Sequence, residues 1–133
     1  MRFLLDTHSF IWSLIDNDQL SKKVSMLIED GDNEICVSVI SLWEISIKYS
    51  VGKLNFDTIK PEILISMATH NKYSIIELAP QIAVTSYALP WKKQHKDPFD
   101  RMLIWKALQQ NFTIISKDLS FHLYSDLGLK LIW

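Results

Sequence analysis

The chain has 133 residues, 48% of them hydrophobic, which predicts a single globular domain, residues 1–133, with a substantial core. Its formal net charge of −1 argues against a basic protein that coats nucleic acid by charge alone. The lone Cys36 cannot form an internal disulfide, and no apolar run is long enough to span a membrane. We therefore expect a cytoplasmic protein with no membrane partner.

Short apolar runs alternate with segments of helical periodicity along the chain. In the first half we predict strand 2–5, a helix ending at residues 17–18, a helix capped by Ser21 and stopped by Gly31, strand 34–37, and a helix from Ser38 or Ser41 to about Ser50. In the second half we predict helix 61–71, strand 74–78, a short helix from Pro80 to about Tyr87, a basic loop at 91–96, a helix begun by Asp97 and Pro98 and ended at Asn111, strand 113–116 and strand 129–132.

This alternation predicts an α/β fold in three layers. A central, mainly parallel sheet of about five strands would have helices on both faces, with the run 129–132 as an edge strand. Ligands bind such sheets beyond the carboxyl ends of the strands. Residues directly after the strands are therefore the first candidates for a functional site.

Four acidic residues are the candidates for that site. Asp6 and Asp118 follow the first and fourth predicted strands. Glu44 interrupts the apolar stripe of its helix, and charged residues are rarely buried without partners. Asp100 lies in the first turn of the helix that Asp97 begins, on the same stripe as the core residues. We expect these four side chains to converge.

Converging carboxylates repel one another unless some are protonated or a cation lies between them. Oxygen ligands without an accompanying Cys/His cluster suit Mg²⁺ or Mn²⁺. Such a metal centre cleaves phosphodiester bonds by polarising the phosphate and activating water. The lysines of the basic loop, Lys92, Lys93 and Lys96, would then hold the phosphate backbone close to the metal.

Each acid also has a structural interpretation. Asp6 is a good helix N-cap, Asp100 can join Asp97 in a capping arrangement, and Asp118 can begin a turn. Glu44 is explained in this way only if Lys48 pairs with it. The four histidines have no spacing typical of metal ligands, and we assign them no such role.

Two other functional classes share the alternating fold and its acidic crevice. A non-enzymatic, Mg²⁺-binding receiver-like signalling module would need paired acids after the first strand, where Thr7 follows Asp6, and a phospho-accepting aspartate after the third. A phosphatase with an aspartyl nucleophile would need a second aspartate at position 8, where the chain has His8. Both are disfavoured.

Several motifs resemble those of the PIN-domain ribonucleases, and in particular VapC-type toxins of bacterial toxin–antitoxin pairs. The similarity covers nearly the whole chain, and the run Asp-Pro-Phe-Asp-Arg is its most specific part. The motifs are Leu4-Leu5-Asp6-Thr7-His8, Ser41-Leu42-Trp43-Glu44-Ile45 with Lys48 and Gly52-Lys53-Leu54, Asp97-Pro98-Phe99-Asp100-Arg101-Met102-Leu103-Ile104, Ser116-Lys117-Asp118, and the closing Gly128-Leu129-Lys130-Leu131-Ile132-Trp133.

The resemblance implies a PIN-like fold and a Mg²⁺- or Mn²⁺-dependent endoribonuclease, commonly a homodimer, that a cognate antitoxin holds inactive. The residues that match the family's catalytic and metal-binding acids are Asp6, Glu44, Asp100 and Asp118. Asp97 is an alternative for the third acid, and we prefer Asp100 because Asp97 occupies the cap.

Further residues are assigned supporting or binding roles. Thr7 and Ser116 match small hydroxyl positions that would hydrogen-bond the acids or their waters. Arg101 joins the three lysines of the basic loop as a candidate RNA-binding residue. Trp12 and Trp43 would contribute to an antitoxin groove, although core packing explains them equally well.

Overall fold

All residues from Met1 to Trp133 are described by the computed structural model, in which five strands alternate with helices. The strands are β1 (Arg2–Leu5), β2 (Glu34–Ser38), β3 (Ser74–Ile76), β4 (Thr113–Ile115) and β5 (Lys130–Ile132). The α-helices are α1 (Thr7–Ile15), α2 (Lys22–Glu29), α3 (Val39–Ser50), α4 (Pro61–His70), α5 (Pro80–Thr85) and α6 (Pro98–Gln110). Three 3₁₀ helices span Asn17–Gln19, Ser86–Ala88 and Leu119–Leu127.

The strands form one sheet in the order β3-β2-β1-β4-β5, with every neighbouring pair parallel. The predicted sheet is thus confirmed and is entirely parallel, with β5 at an edge as expected. The chain moves outward from β1 to β3 and then returns to the other side of β1 as β4. The carboxyl ends of β1 and β4 therefore lie side by side where the strand order reverses, the position at which parallel sheets bind ligands.

Alternating side chains of β1 explain why helices cover both faces of the sheet. Phe3 and Leu5 point into one core, packed against α1 and α4, whereas Leu4 points into the other, packed against α6. All three side chains are fully buried. Because both faces of the strand are covered, its sequence is a continuous apolar run rather than an alternating one.

Some element boundaries differ from the prediction. The helix expected to reach residues 17–18 ends at Ile15, and a separate 3₁₀ helix, Asn17–Gln19, follows it. The segment after Asp118, for which only a turn was considered, is a nine-residue 3₁₀ helix that buries Phe121 and Tyr124. Asn111 ends α6 as expected, and it does so in the left-handed conformation (φ 58°) that asparagine tolerates well.

Strand β3 is two residues shorter than predicted. Its last residue, Ile76, pairs with Ser38, the last residue of β2, and the backbone carbonyl of Glu77 accepts a hydrogen bond from Lys106 Nζ at 2.9 Å. Lys106 lies on the buried face of α6, and its burial, with the nearby Arg2 charge, lowers the pKa of its ammonium group. None of the helices has the length and apolar character needed to cross a membrane.

Candidate active site

The candidate site lies at the carboxyl ends of β1 and β4, where Asp6 and Asp118 follow the strands. Asp6 caps α1, since its Oδ1 accepts a hydrogen bond from the Ser9 backbone N–H at 2.9 Å. Asp118 caps the following 3₁₀ helix in the same way, through Ser120. The capping role considered for Asp6 is therefore confirmed, whereas Asp118, for which a turn was considered, caps a 3₁₀ helix. The capping bonds use Oδ1 of each aspartate.

Ser116 links these two strand ends. Its hydroxyl donates to Asp6 Oδ2 at 2.5 Å, and the Asp118 backbone N–H donates to the same hydroxyl at 3.0 Å. Asp6 is buried, which raises the pKa of its carboxyl group, although the hydrogen bonds from Ser116 and Ser9 act in the opposite direction. Ser116 therefore positions the carboxylate as the sequence led us to expect.

Glu44 reaches the site from α3 and is held by partners on both oxygens. Thr7 donates its hydroxyl to Oε1 at 2.6 Å, and Lys48 forms a short ion pair with Oε2. Burial alone would lower the pKa of Lys48, but the hydrogen bond and the charges of Glu44, Asp97 and Asp100 together raise it. The pairing that the sequence left open is present, so Glu44 adds little net charge to the site.

Asp97 and Asp100 have different roles at the start of α6. Asp97 Oδ1 accepts hydrogen bonds from the backbone N–H groups of Phe99 and Asp100, at 2.9 and 3.0 Å, so it is the N-cap. Asp100 makes no capping bond and its side chain is largely buried near the other acids. This geometry favours Asp100 over Asp97 as the site acid.

The electrostatic environment of Asp100 indicates that the acids lie within range of one another's charge. The pKa of Asp100 is raised to about 8, first by burial and then by the negative charges of Asp97, Asp6, Glu44 and Asp118. Like charges raise the pKa of a carboxyl group only when they are close and poorly screened. Side chains separated by up to 112 residues in sequence thus share one negatively charged crevice.

His95 is a site residue that the sequence analysis missed. It is buried, its Nε2 lies 3.3 Å from Asp100 Oδ2, and its Nδ1 lies 3.0 Å from the Tyr124 hydroxyl. Burial and the Arg101 charge lower the pKa of His95, although Asp118 and Asp97 act in the opposite direction. Its Nε2 therefore contacts a carboxyl group whose own pKa is raised. The only feature of the sequence that could have indicated this role of His95 is its position five residues before Asp100.

The donors suit a hydrated divalent cation better than a protein cage. No three Asp, Glu, His or Cys side chains are close enough together to hold a metal ion by themselves. The oxygens of Asp6 and Asp118 that accept hydrogen bonds retain lone pairs, and the crevice carries unbalanced negative charge. Mg²⁺ typically keeps several waters and uses one or two carboxylates. The residues therefore fit such a cation, bound directly or through water.

The predicted RNA-binding lysines lie on the loop before α6. Lys93 and Lys96 are exposed and form no ion pair. Lys92 is half-buried, with its Nζ 3.7 Å from Asp126 Oδ2 and 5.8 Å from the centre of the Tyr124 ring. Lys93 and Lys96 remain available to a polyanion.

Arg101 is not positioned to bind substrate, contrary to our expectation. Its side chain is buried and donates to the Leu89 and Pro90 carbonyls at 2.8 and 3.0 Å and to the Tyr124 hydroxyl at 3.1 Å. The Trp91 ring covers the guanidinium at 3.9 Å. A planar guanidinium suits this arrangement because it can donate several bonds in one plane while an aromatic ring stacks on its face. Arg101 thus holds the basic loop against α6.

The two tryptophans assigned to an antitoxin groove differ in exposure. Trp43 is 59% exposed beside Glu44 and contacts the Phe99 ring edge-on at 5.3 Å between centroids. Trp12 is half-buried, with the Trp133 ring edge-on at 6.0 Å. Trp43 therefore belongs to the surface, whereas Trp12 is partly a packing residue.

Comparison with known proteins identifies the fold. The sequence profile described as PIN domain matches residues 3–127. Three solved structures share the fold: VapBC2 from Rickettsia felis bound to a promoter DNA fragment (TM-score 0.67, 18% identity, 99% of this chain and 98% of that chain), DNA-bound VapBC from Salmonella typhimurium (0.67, 17%, 99% and 97%), and VapBC-1 from nontypeable Haemophilus influenzae (0.64, 22%, 99% and 97%). No curated protein matched the sequence.

The raised pKa of Asp100 predicts that the metal-free protein loses stability as pH rises. The folded chain holds this proton up to about pH 8, whereas the unfolded chain releases it near the ordinary aspartate pKa of 3.8. The contribution of Asp100 to stability is therefore complete below pH 3.8 and is lost as pH approaches 8. Over this range the free energy of unfolding falls by up to about 1.4 kcal/mol per pH unit. Urea unfolding in EDTA between about pH 6 and pH 8 should show this loss in the wild type and a smaller one in Asp100→Asn. Equal slopes for both proteins would mean that Asp100 titrates normally.

The internal role of Arg101 predicts a loss of stability on substitution. Arg101→Met should lower the free energy of unfolding by about 2–4 kcal/mol, because two backbone carbonyls and a hydroxyl lose a charged donor. Lys93→Met, on the same loop but exposed, should change it by no more than about 0.5 kcal/mol. A stable Arg101→Met protein with weakened RNA binding would restore our original assignment of this residue.

Proposed function

The chain belongs to the PIN domain family, and we propose that it is a metal-dependent endoribonuclease that serves as the toxin of a toxin–antitoxin pair. PIN domains are generally nucleases, and the fold is shared with proteins solved as VapBC complexes. The proposal rests on this family membership together with the charge and geometry of the crevice.

The burial of the Asp100 side chain among other acids is the observation that carries the proposal. A structural carboxylate is normally stabilised by a cation or by hydrogen bonds that favour its ionised form, as Glu44 is by Lys48 and Thr7. Asp100 instead lies among other acids, and the only side chain that forms a hydrogen bond with it is His95. Such a site favours a divalent cation, because the cation binds the ionised carboxylates and relieves their repulsion.

We assign Asp6, Asp100 and Asp118 as the residues that hold Mg²⁺ or Mn²⁺, directly or through water. When bound, the cation supplies Lewis-acid polarisation of the phosphate, an activated water and charge stabilisation for the leaving oxygen. Glu44, fixed by Thr7 and Lys48, orients water or completes a second metal position.

Three further residues of this chain keep the acids in place. Ser116 fixes the direction of the Asp6 carboxylate, and Asp97 fixes the first turn of α6 and with it the position of Asp100. His95 holds Asp100 Oδ2 on the other side, since its own ring is held by Tyr124. Preorganised groups of this kind need no rearrangement when the substrate binds.

RNA binding in this proposal depends on local positive charge, because the chain as a whole is almost neutral. Lys93 and Lys96 lie on the loop that leads into Asp97 and Asp100, so a backbone phosphate held by them is adjacent to the crevice. Lys92 contributes less, because Asp126 already neutralises it. Binding should accordingly weaken as salt concentration rises.

The proposed partner is a cognate antitoxin that covers an apolar face of α3. Trp43 and Ile47 on this helix and Val51, which caps its C-terminal end, lie at successive four-residue intervals and are 59%, 38% and 62% exposed. This spacing forms one continuous stripe beside Glu44, the arrangement that a helix or extended peptide binds through apolar side chains. A homodimer is proposed on the resemblance to VapC-type toxins.

Removing one site acid should abolish cleavage without unfolding the protein. Asp6→Asn and Asp100→Asn should each reduce Mg²⁺-dependent cleavage of labelled RNA by at least about 100-fold, because the metal loses a ligand charge. Asp18→Asn, an exposed aspartate after α1, should cleave like the wild type. EDTA should stop the reaction and added Mn²⁺ should restore it.

Cleavage that persists in both variants would remove the assignment. Labelled single-stranded DNA of the same sequence, tested in parallel, separates a ribonuclease from a general nuclease. Acyl-phosphate labelling of the protein in place of RNA cleavage would instead support the receiver-like module.

The antitoxin face can be tested with a charge inserted into its stripe. Ile47→Lys should weaken binding of the antitoxin, sought as the small DNA-binding protein encoded next to this chain, by at least about tenfold, because the lysine introduces an unpaired charge at the apolar contact. Met26→Lys places the same charge on α2, where Met26 is 63% exposed, and should leave the affinity unchanged. Calorimetric titration gives both values. Equal affinities in the two variants would place the antitoxin elsewhere.

A further inference from the structure

A cleft of about 220 Å³ is lined by Asp6 and Asp118 and by three side chains that are not acidic. His8, Trp12 and Lys117 form this non-acidic wall. The acids of the cleft belong to the candidate metal site, whereas none of the other three side chains has a role there. A wall of two rings and a cation next to a crevice of carboxylates calls for a separate explanation.

The two rings of this wall are held in a defined arrangement. His8 and Trp12 are four residues apart on α1, so they project from the same face of the helix. Their centroids are 5.6 Å apart with an angle of 38° between the planes. The Trp133 ring packs edge-on against Trp12 at 6.0 Å, which supports Trp12 from the side. The tryptophan is half-buried and His8 is exposed, so the rings remain accessible from the cleft.

Lys117 is an unpaired cation at the mouth of the same cleft. It is exposed, its Nζ lies 6.0 Å from the centre of the Trp12 ring, and it forms no ion pair with any carboxylate. In this respect it differs from Lys48 and Lys92, both of which have acidic partners. An unpaired ammonium beside an aromatic ring matches the two parts of a nucleotide, the phosphate and the base.

We propose that this cleft is a subsite for one unpaired nucleotide of the RNA, whose base stacks on Trp12 and His8 and whose phosphate contacts Lys117. This inference rests on the proposed nuclease function, since it places the nucleotide next to the scissile phosphate at Asp6 and Asp118. An aromatic ring can stack only on a base that is not already stacked within a duplex. The subsite therefore selects single-stranded or looped RNA over a continuous double helix.

The phosphate contact is tested by the salt dependence of binding. Fluorescence anisotropy of a short labelled single-stranded RNA is measured with Asp100→Asn protein in Mg²⁺ buffer, so that the RNA stays intact. Adding Lys117→Met should weaken binding and reduce the slope of log affinity against log salt by about 0.7, the value for one phosphate contact to a single strand. Lys117→Arg should restore the slope. Lys23→Met, an exposed lysine on α2 outside the cleft, should leave it unchanged.

The stacking contact is tested by removing the ring and the base in turn. Trp12→Leu should weaken binding by about fivefold to 100-fold, the range for loss of one base–aromatic stack, and Trp12→Phe should weaken it by only a few-fold. An abasic nucleotide is then introduced at each position of the RNA. One position should weaken binding to the parent protein and to Trp12→Phe but have no effect on Trp12→Leu. A purely structural role of Trp12 would not produce this selective loss.

Two results would overturn the subsite: a salt slope that Lys117→Met leaves unchanged, or abasic RNAs that affect Trp12→Leu and the parent protein equally. A base-paired RNA bound as tightly as its single strand would contradict it as well. These measurements need no cleavage, so they are independent of the test of the proposed function. A wild-type protein that binds RNA as described but never cleaves it would refute the nuclease and leave the subsite intact.

Discussion

The repulsion among carboxylates at the carboxyl ends of β1 and β4 is the physical constraint that the rest of the structure has to balance. Asp100 shows it directly, because burial and four neighbouring acids raise its pKa to about 8. A folded chain has no stability to gain from such an arrangement, and sites where buried like charges perturb a pKa are typically functional. The fold tolerates the repulsion because the cores on both faces of the sheet are extensive and apolar.

Structural and functional roles coincide at these acids rather than exclude each other. Asp6 and Asp118 are helix N-caps. In each, the hydrogen bond that Oδ1 accepts from the helix backbone fixes the orientation of the whole carboxylate group. Ser116 joins the two strand ends through hydrogen bonds to both residues. The backbone hydrogen bonds that begin the helices therefore also orient the carboxylates, which explains how loop residues acquire the rigidity that the proposed metal site needs.

Positive charge around the crevice is divided between structural and free groups. Lys48 is committed to Glu44, and Arg101 is buried against backbone carbonyls under Trp91. Lys117 and Lys93 have no acidic partner and are exposed. This division separates residues that maintain the site from residues available to a polyanionic substrate, which a count of basic residues cannot do.

The sequence by itself determined the alternating elements, the parallel sheet and the helix caps, and it singled out four candidate acids, because each leaves a local pattern: short apolar runs, helical periodicity, or an acid directly after a strand. Tertiary structure alone decided the strand order that brings Asp118 beside Asp6, the burial of Arg101, and the approach of His95 to Asp100. It also decided that strand β3 ends at Ile76, since that residue pairs with Ser38, the last residue of β2, which is the only strand next to β3. These features depend on contacts between segments distant in sequence, and periodicity within a single segment carries no information about which distant segment packs against it.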